Sequence, residues 1–177
     1  MKKKPTTKTE PKKLTLRQLI KQNNAAYEKA TPEQRRVMIA KDALQQIKNG
    51  RITPTEGTYV KLWGETLDRG EPLQPVLFKD GPITCNCCAK GALFISAVRL
   101  SNRWTGDPTG IGSHEINRLV EWPDSNYREI EVAFELWTEE YPWSKKWLRK
   151  YPDKEPRLVA ILRNIIRNKG TFKKGDI

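Results

Sequence analysis

Residues 84–100, TCNCCAKGALFISAVRL, decide how this chain is read, because all three of its cysteines fall within four positions at the head of an apolar stretch. Laid on a helix, Cys85, Cys88, Ala89, Ala92 and Ser96 share a stripe of small side chains, and Cys87, Gly91, Phe94, Ile95 and Val98 fill a second apolar sector. Ahead of Arg99, only Asn86 and Lys90 mark a polar side. A helix that is apolar around most of its circumference is buried, and a stripe of small residues lets a neighbouring element approach closely. Free cysteine packs as a small hydrophobe. The segment therefore predicts a central helix from the cysteines to about Leu100, with the thiols reduced and packed inside.

Three chemical uses of the thiols compete with packing. A zinc site would take Cys85 and Cys88 as a C-x-x-C pair with His114 as third ligand, but there is one histidine in the chain and no second C-x-x-C, short of the four ligands a structural site needs. A redox pair would put Cys85 at a helix N-terminus, where the dipole lowers a thiol's pKa, yet no later strands complete a thioredoxin-like sheet. A nucleophile, Cys85 or Cys87 with His114 as base, rests on that same lone histidine. No metal ligand, cofactor or catalytic residue is assigned on this pattern.

Working outward, the stretch before the cysteines, residues 51–82, is rich in proline and glycine and carries the β-prone pieces TYVKLW (58–63) and PVLF (75–78). Two short strands, a small hairpin, are expected there. Upstream, TPEQRRVMIAKDALQQIKNG (31–50) has Thr31 as N-cap, Pro32 at the first helical position, Gln34 completing a capping box and Gly50 just past the end. Val37, Ala40, Leu44 and Ile47 follow at helical spacing. Thr15 caps an earlier helix to about Ala30, carrying Leu16, Leu19, Ile20 and Tyr27 on one side. Downstream, Ser113 opens a short helix to about Glu121. Asp124 or Ser125 caps a longer one bearing Tyr127, Ile130, Phe134 and Trp137, and Pro156 opens a last helix that Gly170 closes. The expected fold is α+β and predominantly helical: five or six helices around a buried cysteine-containing helix, with a small β-hairpin element.

The 177 residues suffice for one domain with a core, and 37% apolar content with six tryptophans supplies its material. Residues 1–13 hold six lysines and two prolines but only the initiating methionine among apolar groups, and are expected to form a flexible basic arm. Residues 14–170 are the compact domain and 171–177 a C-terminal tail. No apolar run approaches the roughly 20 residues a membrane helix needs, the basic start leads into no signal-peptide apolar region, and three clustered cysteines make no disulfide framework. A cytoplasmic protein without membrane contact is expected.

The net charge of +12 is gathered at the two ends. Residues 1–30 carry nine Lys and Arg against two acids, residues 143–177 eleven against three, and the middle is mildly acidic. Summed charge of this kind draws in polyanions or acidic proteins. Within the basic C-terminal end, WSKKWLRKY (143–151) places Trp143, Trp147 and Tyr151 four residues apart, with Lys145, Lys146, Arg149 and Lys150 between them. Aromatics interleaved with cations suit a nucleic-acid strand, whose bases stack on rings while cations follow the phosphates. The same spacing also describes an amphipathic helix with an aromatic core face and a solvated basic face.

CNCCAKGALF (85–94), INRLVEWPDSNYREIEVAFELW (116–137) and RLVAILRNIIRNKGTF (157–172) together resemble uncharacterised small proteins of bacteria and their phages, in which a C-x-x-C-A-x-G-A-L-F helix precedes a loop and a further amphipathic helix. The resemblance spans roughly Pro32 to Phe172 and implies one compact domain, transferring no activity and no catalytic residue. The expectation for function is a non-enzymatic accessory protein, of the kind phages encode, that contacts nucleic acid or an acidic, nucleic-acid-associated protein through its basic ends, with Lys145, Lys146, Arg149, Lys150, Trp143 and Trp147 as the contact residues. The alternative is a small cysteine-dependent enzyme, a thiol redox protein or hydrolase, acting through Cys85 or Cys87.

Overall fold

A computed structural model describes residues 15–63, 72–78, 84–105 and 119–176. The fold is α+β and predominantly helical. Among the described residues there are seven helices, α1 (Leu16–Lys29), α2 (Pro32–Lys48), α3 (Leu73–Phe78), α4 (Ala89–Ser101), α5 (Asp124–Glu135), α6 (Ser144–Lys150) and α7 (Lys154–Arg167). A sheet of three short strands completes them: β1 (Ile52–Pro54), β2 (Val60–Trp63) and β3 (Thr84–Cys87).

The first two helices begin where their side chains satisfy the free N–H groups of the first turn. Thr31 Oγ1 accepts from the Gln34 N–H at 3.3 Å while Gln34 Oε1 accepts from the Thr31 N–H at 2.9 Å, and Thr15 and Gln18 repeat the arrangement at the head of α1. Asn102, Glu121, Leu136 and Lys169 take the left-handed conformation, φ between 51° and 60°, each at or just beyond a helix end. Leu136 is the end of α5, so Trp137 stands beyond the helix rather than on its apolar face.

Helix α4 is the centre of the molecule. All thirteen of its residues are buried, and α1, α2, α3 and α5 pack around it. The cysteines, however, are not on its body. Cys85 and Cys87 lie in β3, alternating with half-buried Thr84 and Asn86 so that both thiols face inward, and Cys88 is the N-cap of α4. Backbone pairing on both sides overrides helical periodicity here: Cys85 pairs with Ile52 in parallel β1 and with Leu62 in antiparallel β2.

The expected hairpin is corrected in the same way. β1 and β2 do not pair with each other, because β3 enters between them to give the order β1-β3-β2. PVLF is part of α3, where Leu73, Val76 and Leu77 are buried at helical spacing. The loop between β1 and β2 reaches the start of α4 so closely that a Cβ on Gly91 would stand 1.6 Å from the Tyr59 carbonyl oxygen. The close approach falls at Gly91, in the second apolar sector rather than on the small-residue stripe.

Residues 171–176 are docked rather than trailing. Phe172 is 1% exposed, and Asn126 clamps its backbone by donating to the carbonyl at 2.6 Å and accepting from the N–H at 3.0 Å. Asn164 holds the next residue similarly, accepting from the Lys173 N–H and donating to its carbonyl, both at 2.9 Å. The domain therefore extends past residue 170. The expected arm lies outside the described residues, as does most of the helix expected over 113–121, of which Leu119 and Val120 are helical and buried. No helix among the described residues is long and apolar enough to cross a membrane.

Candidate nucleic-acid interface

Helix α6 splits WSKKWLRKY into two faces. Ser144 and Trp147, three apart, point inward and are buried, and the Ser144 hydroxyl donates to the Tyr141 carbonyl at 2.9 Å. Lys145, Lys146, Leu148, Arg149 and Lys150 are exposed. Trp147 is 1% exposed, its ring centroid 5.2 Å from that of Phe172 and 5.8 Å from that of Tyr151, and its Nε1 donates to the Lys174 carbonyl at 3.1 Å. Its ring is part of the core and presents no face to a base. Trp143 is half-buried, with the Lys174 ammonium 5.7 Å from its ring centroid.

The structure thus brings Lys145, Lys146, Arg149 and Lys150 together on one solvated helix and turns Trp147 away from them. Asn164 and Asn126 add Lys173 and Lys174 to the same region by fixing the segment that carries them against α7 and α5. Nothing local in the sequence marks these two asparagines as clamps, since a polar residue inside an amphipathic helix reads as part of the solvated face; their partners are 46 and 9 residues away.

Charge pairing separates the interior from this surface. Buried cations are matched: Lys90 with Glu131 at 2.7 Å, Arg99 with Asp42 at 3.0 Å and Arg157 with Glu56 at 3.2 Å. An unmatched charge there would carry a desolvation cost of several kcal/mol. On the surface, among the described residues, no carboxylate stands within ion-pair distance of Lys145, Lys146, Arg149 or Lys150, while Lys174 is tied to Glu129 at 2.9 Å. Acids of the mildly acidic middle neutralise buried cations, Arg157 of the C-terminal end among them, while the four cations of α6 stay in solvent.

The thiols are placed for packing. Cys85, Cys87 and Cys88 are all free, and 2%, 0% and 4% exposed. A hydrogen bond with Cys85 and complete burial push the Cys87 thiol well above its ordinary range. Burial, aided by the Glu135 and Glu131 carboxylates, pushes Cys88 up to about 11 against the pull of the Gly91 and Lys90 backbone N–H groups. A nucleophile needs the opposite setting. His114, the base and ligand considered with these thiols, lies outside the described residues. Alkylation of Cys88 by iodoacetamide at pH 7.5 is expected to be about a hundredfold slower in the native protein than in the urea-unfolded chain, since a rise to about 11 removes roughly that much thiolate. A fast reaction at one cysteine would show an accessible, activated thiol.

Comparison with family models, with curated proteins and with solved structures returned no match for the chain.

Proposed function

We propose that this chain is a non-enzymatic accessory protein of the cytoplasm, phage-encoded as the sequence resemblance suggests, that binds nucleic acid through the cationic surface of α6 and the adjoining segment 171–176. One observation carries the reading: Lys145, Lys146, Arg149 and Lys150 are exposed and, among the described residues, without carboxylate partners on a helix pinned to the core by Trp147. Seven helical residues span about 10 Å, the axial length of roughly three phosphates of one strand, so four cations on such a helix can engage neighbouring phosphates together. Pinning matters because cations on a fixed helix lose less freedom on binding than cations on a free tail.

With Trp147 in the core and Trp143 half-buried, the surface supports phosphate contact more than base stacking, and binding without sequence preference follows. The cysteine-enzyme alternative has less support, since each thiol that would attack a substrate is buried.

Binding of a fluorescent single-stranded or duplex oligonucleotide, followed against salt, tests the reading. The affinity is expected to fall linearly in log–log terms. Changing Lys145, Lys146, Arg149 and Lys150 to Ala is expected to flatten the slope by about three units, at roughly 0.7 to 0.9 per neutralised phosphate, with no change in sequence preference. A native protein that binds neither DNA nor RNA at low ionic strength sinks the proposal and leaves the basic ends to an acidic protein partner.

A further inference from the structure

A second surface lies between α2 and α7. Arg36 Nε donates to the Gly170 carbonyl at 2.9 Å, tying the end of α7 to the start of α2, so the two helices run antiparallel. Beside this tie is an open groove of about 460 Å³ lined by Glu33, Gln34, Val37, Met38, Ile166 and Lys169. Val37, Met38 and Ile166 are each half-buried and form its apolar floor. One helical turn further along, the same faces carry Lys41, four residues after Val37, and Arg163, three before Ile166. Both are exposed, and no carboxylate among the described residues pairs with either. Leu44 and Val159 continue the partly buried apolar line, and Lys48 ends it. Among the described residues of the two helices, the acids on this side are Glu33, engaged by Arg36 at 3.2 Å, and Glu155 near the start of α7.

From this apolar floor with a cationic rim we infer a docking site for an acidic amphipathic helix of a partner protein. The floor calls for apolar anchors at i, i+3, i+4 and i+7, the pattern by which a helix lays one face into a groove between two others. Lys41, Arg163 and Lys169 call for carboxylates flanking those anchors. An extended peptide would find no strand edge between two helices to pair its backbone, whereas a helix satisfies its own. A second copy of this chain would bring the same cations against themselves across a two-fold axis, a like-charge arrangement that opposes closure. Nucleic acid would gain the cations but leave the aliphatic floor uncovered. None of the residues lining the groove belongs to α6, and docking there does not depend on nucleic-acid binding by that helix.

Fluorescence anisotropy with the full-length protein tests it, using a labelled 18-residue peptide with leucines at i, i+3, i+4 and i+7 and glutamates flanking them. Binding in the micromolar range is expected, weakened at least tenfold by the pair Lys41→Glu and Arg163→Glu, whose exposed side chains can change without emptying the core. Met38→Glu is expected to weaken it similarly, and replacing Lys145, Lys146, Arg149 and Lys150 by Ala to leave it unchanged. A peptide with lysines for the glutamates is expected not to bind. Failure of the acidic peptide to bind, equal binding of a scrambled peptide, or indifference to the Lys41 and Arg163 changes would overturn the inference. So would a concentration-dependent dimer in sedimentation velocity that Met38→Glu abolishes, which would give the groove to a second copy.

Discussion

Gly91→Ala is expected to lower stability by about 5 kcal/mol or more, and the melting temperature followed by circular dichroism by roughly 10–20 °C, enough to leave much of the protein unfolded on expression. The added methyl would stand 1.6 Å from the Tyr59 carbonyl oxygen and 2.7 Å from both the Tyr59 carbonyl carbon and Cys87 Cβ. Two of those three atoms are backbone, so no rotamer change relieves the overlap, and the loop of residues 55–59 would have to withdraw. It is fastened on three sides: the Thr55 N–H donates to the Cys87 carbonyl at 2.9 Å, the Gly57 N–H donates to Glu135 Oε2 at 2.8 Å, and the Thr58 carbonyl accepts from the N–H of Cys88. Withdrawal would also pull β2 away from β3. Gly50→Ala makes a fair control, because its Cβ meets nothing within 4 Å and the only strain is a φ of +69°. That substitution should cost about 1 kcal/mol. A Gly91→Ala protein melting within two or three degrees of the parent would mean that the 55–59 loop yields freely and that the head of α4 is not the fixed point described above.

The same region shows what a single sequence can and cannot carry. The start of α2 was legible because its signals are local: Thr31, Pro32 and Gln34 lie within one turn of one another, and the capping box they spell is present atom for atom. The burial of α4 was legible from the lack of a polar face. The cysteines were not, because a helix stripe and a strand face both predict buried thiols, and what separates them is pairing with residues 52–54 and 60–63, brought in from elsewhere in the chain. The alternation in Thr84-Cys85-Asn86-Cys87 is a strand signal, but over four residues it cannot outweigh the long apolar run that follows. PVLF failed for a related reason: β-branched and aromatic residues favour strands only where a pleated neighbour exists, and residues 73–78 pack as a helix on α4 instead. The C-terminal end was misjudged on composition. Lys173, Lys174, Gly175 and Asp176 look like a tail, yet Phe172 alone supplies a large apolar anchor, and two distant asparagines hold the backbone around it. In the candidate interface the cations were legible one by one; which side of α6 faces water was not, because the aromatic and the basic faces have the same spacing.

Trp147→Ala resolves that ambiguity by experiment. The ring is 1% exposed, contacts Phe172 and Tyr151, and spends its only donor on the Lys174 carbonyl. Truncating a buried tryptophan costs about 3 to 5 kcal/mol, so the melting temperature is expected to fall by roughly 6–20 °C. Phe172→Ala is expected to cost a comparable amount, and the double variant less than the sum, by about 0.5 to 3 kcal/mol, because each ring is the other's packing partner. Lys173 and Lys174 ride on the segment that these two rings hold down, so losing either ring should loosen part of the cationic surface as well as the core. Measured well below its own melting temperature, Trp147→Ala should still show most of the parent's salt slope in oligonucleotide binding, since Lys145, Lys146, Arg149 and Lys150 remain on α6. The alanine variants of those four residues should give the converse, a flattened slope at nearly unchanged stability. If Trp147→Ala instead keeps the parent melting temperature and loses affinity for single-stranded nucleic acid, then Trp147 is a stacking platform, α6 must present its aromatic face to the ligand, and the assignment of that face to the core is wrong.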